Sequence, residues 1–220
     1  GGTIVETIHR IQQAGMEVWT GMIVGFDNDD SSIFEAQLEF VRQARVVHAM
    51  CGMLSAIPKT PLHQRLADEG RLDTNDLSPF GTNVIPKQMS REELKRGYQE
   101  VMRGINDPVQ FFDRSDSLYL DPQFQFNKAQ LAYWQRHRVR GWLENAKTLA
   151  KCAVLYRRLM NRVDNAHLKS EYRRRLAAVR KTRREPAALL IYILKCAVHY
   201  HYLQIADSLE KDELRIVNSF

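Results

Sequence analysis

Apolar side chains at Ile4, Ile8 and Ile11, spaced by three and four, predict a helix over 3–14, and Gly15 supplies its stop. Val18, Trp19, Met22, Ile23 and Val24 then crowd into 16–26 around one charge, Glu17, which reads as a buried strand. Ser32 with Glu35 three positions on has the spacing of a capping box, and Phe34, Leu38 and Val41 form one stripe on a helix over 32–44. Residues 46–57 are the next strand candidate. Strand, helix and strand in so short a stretch make a βαβ unit, whose strands are expected to run parallel with a right-handed crossover. Thr60 and Pro61 then open another helix as N-cap and first-turn proline, with Leu62 and Leu66 on its apolar edge and Gly70 at its end.

Residues 71–88 show no period and read as a functional or connecting loop. Beyond them the strands end. Ser90 and Glu93 form a second capping box, ahead of Leu94, Tyr98, Val101, Met102 and Ile105 at helical spacing. Pro108 opens a short aromatic segment with Phe111 and Phe112, and three more helical stretches are predicted at 127–161, 165–183 and 186–208. The expected layout is α/β then all-α: an α/β unit over 1–72, a connecting loop over 73–89 and a helical domain over 90–220.

Composition bounds the class. The chain has 220 residues, 44% of them hydrophobic, and a mean hydropathy of −0.42, which suits a globular protein with a sizeable core. No run of 18 uncharged apolar residues is present, so no spanning helix is expected. The start lacks both a Met and a signal-peptide pattern, as in a cut from a longer protein. Three widely spaced cysteines, Cys51, Cys152 and Cys196, read as buried small hydrophobes in a cytoplasmic protein. The net charge of +6 is uneven: from Arg136 to Lys195 stand 17 Lys and Arg against 4 acids, so the helical domain is basic from about 136.

The candidate chemistry begins at the first strand, whose carboxyl end reads Gly21-x-Ile23-x-Gly25. Ligands of parallel α/β sheets sit at such ends. Glycines there leave room for a flat ring, with the branched Ile23 as its surface; the other reading is that they only let a helix pack close to the sheet. Two further features carry weaker signals. His199 and His201 stand two apart on a helix and face different ways, so packing or surface roles are expected and no metal site is assigned. The run "KSEYRRRLAAVRKTRR" is a solvated face, or a lipid-headgroup surface with the adjoining "PAALLIYILKCAV" as its apolar side. One aromatic, Tyr172, is too few for a stacking nucleic-acid surface, so nucleic acid is not expected.

Taken together, "GMEVWTGMIVGFD", "HAMCGMLSAIPKTPLHQRLADEGRL" and "TNVIPK" resemble the C-terminal half of a radical S-adenosylmethionine (SAM) enzyme. The group is the one in which a cobalamin-binding domain precedes the barrel and a helical domain of unknown function follows it. The resemblance covers residues 3–115 and implies the last strands of a partial TIM-type barrel. It implies that Gly21, Ile23 and Gly25 lie beside the adenine of SAM, with Ile23 packed on the ring. The polar contact of that signature falls on Asn28, where the family has glutamate. After the next strand, Pro58, Thr60, Pro61 and Leu62 match the family's pattern, with Lys59 in place of a glycine; if that position needs positive φ, Lys59 is strained. Backbone groups near Ser55 and Ala56 are implied to read the adenine edge. Thr82 and Asn83 are candidates for holding substrate, unless Asn83 only bonds its own turn.

The resemblance further implies a [4Fe–4S] cluster, SAM cleavage to a 5′-deoxyadenosyl radical, and in cobalamin-dependent members methyl transfer to an unactivated carbon. The CxxxCxxC ligand loop is absent from these 220 residues, so cluster and cobalamin would be held by a preceding part of the same protein. No catalytic acid or base is assigned. The expected partners are that preceding part and a small-molecule or lipid-like substrate, with a peripheral contact at the inner membrane face through the basic helices. The alternatives are a non-enzymatic helical module docking on an anionic surface, or a radical SAM enzyme that modifies tRNA.

Overall fold

A computed structural model describes residues 2–73, 80–121, 123–124 and 128–210. It is mostly helical, with one small parallel sheet. Helix α1 (Ile4–Gln13) is closed by a capping box between Thr3 and Glu6, and Gly15 follows it at φ 84°. Strand β1 (Trp19–Val24) pairs in parallel with β2 (His48–Met53), Trp19 opposite His48 and Ile23 opposite Gly52. Both strands are shorter than the apolar runs that predicted them.

Between the strands runs α2 (Ser32–Gln43), which buries Phe34 and Val41 and half-buries Leu38. Its cap differs from the expected one. Ser32 is already helical and makes no capping box; Asp30 Oδ1 accepts its backbone N–H at 2.8 Å and its hydroxyl at 2.5 Å. A carboxylate two residues earlier reaches the same free N–H groups and adds charge favourable to a helix start. Helix α3 (Pro61–Asp68) begins as expected, with the Thr60 hydroxyl accepting from His63 N–H.

Helix α4 (Arg91–Ile105), opened by the Ser90–Glu93 capping box, packs on α2 and β2. Gly97 lets it meet Phe34, because a Cβ there would stand 2.1 Å from the ring. One core therefore joins α1, α2, α4 and the sheet, and Ala206 and Leu209 complete it. The aromatic segment after Pro108 is a helix, α5 (Pro108–Tyr119), capped by Asp107.

The expected helix over 127–161 is two helices, α6 (Lys128–Arg136) and α7 (Arg138–Arg162); residue 127 lies outside the described residues. The chain breaks at His137, and the buried Gly141 lets α7 pack on Trp134 of α6. Helices α8 (Ala166–Thr182) and α9 (Pro186–Glu210) complete a second core with α5 and α7. Here the apolar face of "PAALLIYILKCAV" is taken: Tyr192, Ile193 and Cys196 are buried among Phe112, Tyr172 and Leu176. Leu194 of the same segment stays on the outside, 44% exposed. His199 is also in this core. Its Nε2 donates to the Asn106 carbonyl at 3.0 Å, which leaves Nδ1 to accept from the Tyr172 hydroxyl at 2.6 Å.

Candidate functional site at the strand ends

Strand alternation gives the sheet two unlike faces. Met22, Val24, Ala49 and Cys51 are buried under the helices, whereas Trp19, Ile23 and Met50 are 47–57% exposed on the other side. Gly21 and Gly52 lie on that open face, and no atom stands within 4 Å of where a Cβ would be at either. Ile23 is thus a branched apolar side chain flanked by two open backbone positions.

The two glycines of the motif have different reasons. Gly25 adopts φ +99°, its N–H donates to Asp29 Oδ2 at 2.9 Å, and an added Cβ would press on Leu94 at 2.9 Å. Turn geometry and packing explain it. At Gly21 nothing among the described residues calls for a missing side chain.

Beyond the strands the chain is tied by side-chain-to-backbone bonds. The Asn83 amide clasps Ala56 with two 2.8 Å bonds, accepting from its N–H and donating to its carbonyl. The Asn83 side chain therefore does not bond its own turn, and both backbone groups of Ala56 are engaged by it. Thr82 is buried; its hydroxyl donates to the Leu54 carbonyl and accepts from Val84 N–H. With its hydrogen bonds spent this way, Thr82 fixes the loop to the strand end and has no exposed oxygen for a substrate. Ser55 is exposed beside the clasp, its hydroxyl 3.4 Å from Asn83 Oδ1. Leu72 and Val84 form an antiparallel bridge that draws the expected 71–88 loop together, while 74–79, with Ser78 and Pro79, lie outside the described residues.

Asn28, at the signature's glutamate position, is exposed, and its neighbour Asp27 makes the polar contacts. Asp27 pairs with Arg65 at 2.6 Å and Arg71 at 2.8 Å, and the Gln88 side chain donates to its carbonyl. The Arg65 hydrogen bond, then that from Arg71, holds the Asp27 carboxyl down at about 2. Sequence reading missed this hub and Gly52. The pairs span 38 and 44 residues, beyond any periodicity, though Asp27 does stand at the strand's carboxyl end.

These residues fit a flat aromatic ring, which needs an apolar floor and open backbone on either side. They do not fit an iron–sulfur cluster. Cys51 is buried in β2, Cys152 in α7 and Cys196 in α9, and burial pushes each thiol up, Cys51 to about 11, away from the thiolate a cluster requires. Among the described residues no group of three His, Cys, Asp or Glu side chains could hold a metal ion.

Residues 60–214 match the family described as a domain of unknown function, DUF4070. The chain belongs to that family, the helical domain that follows the barrel in cobalamin-type radical SAM enzymes. It is 38% identical over 113 residues to the hopanoid C-2 methylase of Rhodopseudomonas palustris (strain TIE-1), covering 51% of this chain and 21% of that protein. An uncharacterized methyltransferase of Synechocystis sp. is 25% identical over 214 residues, 96% of this chain and 37% of its own length. The bacteriochlorophyllide d C-12(1)-methyltransferase of Chlorobaculum tepidum is 24% identical over 103 residues, 46% of this chain and 22% of its own. The chain therefore spans 21–37% of the length of these relatives. No solved structure matches it.

Proposed function

We propose that this chain is the carboxyl-terminal part of a radical SAM methyltransferase that methylates a carbon of a small or lipid-like substrate. The β1–β2 sheet would be the end of its barrel wall, with the open face turned inward. The observation that carries this reading is Ile23, exposed between two glycines whose open backbone nothing among the described residues requires. The names of the relatives, a hopanoid C-2 methylase and a bacteriochlorophyllide C-12(1)-methyltransferase, support methyl transfer as the reaction class.

In this reading the preceding part of the protein would hold the [4Fe–4S] cluster and cobalamin. Those groups, when bound, supply radical formation from SAM and methyl transfer. This chain's residues bind and exclude. Ile23 would floor the adenine, Gly21 and Gly52 would let it lie flat, and the Asn83–Ala56 and Thr82–Leu54 bonds hold the loop that borders it. The protein would act in the cytoplasm, and the 220 residues alone would be inactive.

The test is Gly21→Val in the full-length protein, read by equilibrium binding of SAM at matched cluster content. A valine suits a strand and its Cβ meets no atom of the described residues within 4 Å, so the melting temperature should hold or rise. SAM affinity should fall at least tenfold as the ring loses its place, and Ile23→Asp should do the same, because a desolvated carboxylate there costs several kcal/mol. Met22→Asn is the contrast: it faces the core and should lower stability instead. Unchanged SAM affinity in both Gly21→Val and Ile23→Asp would refute the adenine role.

A further inference from the structure

Helix α7 is mounted with its apolar side outward. Val139, Trp142, Leu143, Leu149 and Val154 are 46–76% exposed. Their spacing of three, four and seven, with Ala146, Ala150 and Ala153 between them, makes one continuous stripe. The side that packs on α6 and α9 is another one, with Gly141, Cys152 and Leu159 buried. Along the stripe's flank runs a row of exposed cations, Arg140, Lys147, Lys151 and Arg158, and Glu144 is the one acid within the helix. Tyr133 of α6, 44% exposed, extends the surface at its start. The stripe continues through Leu149 and Ala153 into a groove of about 420 Å³ between α7, α8 and α9, lined by Leu176, Leu189 and the exposed Arg173 and Arg180.

We propose that this face docks on an anionic lipid bilayer, with the first half of α7 lying in the headgroup region. An apolar stripe more than 100° wide beside a basic row is the pattern of an interfacial helix. Trp142 and Tyr133 have the amphipathic rings that settle at headgroup depth. Each cation near an anionic surface adds to the attraction. Charge disfavours the other occupants. A symmetric contact between two copies would set the basic rows against each other, and a nucleic acid would leave the aliphatic stripe unmatched. This surface centres on α7, reaches α8 and α9 through the groove, and is distinct from the strand-end site. Its reading needs no turnover, so it stands or falls apart from the proposed methyl transfer.

The experiment is flotation of the full-length protein with vesicles of phosphatidylcholine alone or mixed with phosphatidylglycerol. Binding is expected to the anionic vesicles, weakened by raising salt to about 0.5 M. Trp142→Glu with Leu149→Glu should reduce partitioning at least tenfold at an unchanged melting temperature, since both side chains are solvent-exposed. Lys147→Glu with Lys151→Glu should reduce it severalfold. Val109→Glu, the same kind of change at an exposed apolar position of α5, should leave it as in the wild type. No flotation with anionic vesicles would overturn the proposal, as would flotation that the Trp142 and Leu149 changes leave intact. So would a concentration-dependent dimer that those changes abolish in the absence of vesicle binding, because the stripe would then be an interface between copies.

Discussion

Lys59 is where one residue's conformation can be weighed. Ile57 to Thr60 form a tight turn, with Thr60 N–H bonded to the Ile57 carbonyl at 3.2 Å, Pro58 at its second position and Lys59 at φ 67° at its third. A type II turn asks for glycine there, because the left-handed region brings a Cβ against the backbone. The exposed side chain has nothing in the turn to hold it, so Lys59→Gly should stabilise the protein by about 1 kcal/mol. Chemical denaturation would show this as a higher midpoint at unchanged slope, with Lys59→Ala giving no such gain. The question of positive φ was legible, because the resembled pattern has a glycine where Lys59 stands. The partner of Asn83 was not legible. Nothing in a side-chain pattern says that an amide will close on a backbone 27 residues away, and that bond is made only when two loops meet.

At the scale of elements, two helix starts read from their caps form as expected, at Thr60 through its hydroxyl and at Ser90 through a full capping box. Ser32 offered the same spacing, but the Asp30 carboxylate takes the Ser32 N–H that Glu35 would have bonded in a capping box. Asp30→Ala should therefore lower the melting temperature, whereas Ser31→Ala, which removes no capping bond, should be near neutral. Thermal melts of the two variants decide between them. Helix contacts hide a second effect. Alanine normally favours a helix over glycine by about 1 kcal/mol, yet Gly97→Ala would place a methyl 2.1 Å from the Phe34 ring. Overpacking costs about 1–3 kcal/mol, so the net change should be destabilising, and Gly97→Ala with Phe34→Leu should recover part of it. The parallel strand pair and its covering helix were legible because each has its own apolar period. The split between α6 and α7 was not, since the apolar period runs on through His137 and the break is set by Trp134 packing against Gly141.

At the scale of the whole molecule, the sheet and the helical domain meet at buried charges near the strand starts. Lys195 of α9 donates to both oxygens of Glu17, at 2.6 and 2.7 Å, and the Tyr119 hydroxyl donates to Glu17 at 2.7 Å. His48 lies beside them, its Nε2 3.8 Å from Glu17, and burial, then the nearby Lys195 charge, lowers it to about 4. Burial lowers His199 to about 4 as well. Both sit below the ordinary value of 6.5, so the unfolded chain takes up protons between 6.5 and 4 that the folded chain refuses. Their contribution to stability is complete above about pH 6.5 and is lost progressively as the pH falls towards 4. Melting temperatures across that window should drop, and His199→Gln should flatten the slope while lowering stability at pH 7. The Glu17–Lys195 pair makes a sharper test, because its two halves should not add. Glu17→Gln strands a buried ammonium, at a cost of about 3–5 kcal/mol, while Lys195→Met strands a carboxylate that keeps its Tyr119 bond and should cost less. With both changes, no charge is stranded: methionine fills the lysine's place beside Trp19 and Tyr119, and the glutamine oxygen still accepts from Tyr119. The double variant should therefore be more stable than Glu17→Gln alone, with a coupling energy of about 2 kcal/mol or more from a denaturation cycle. Simple additivity would mean that the pair is solvated in solution and that apolar contacts alone, such as Val47 inside the helical core, hold the two parts together.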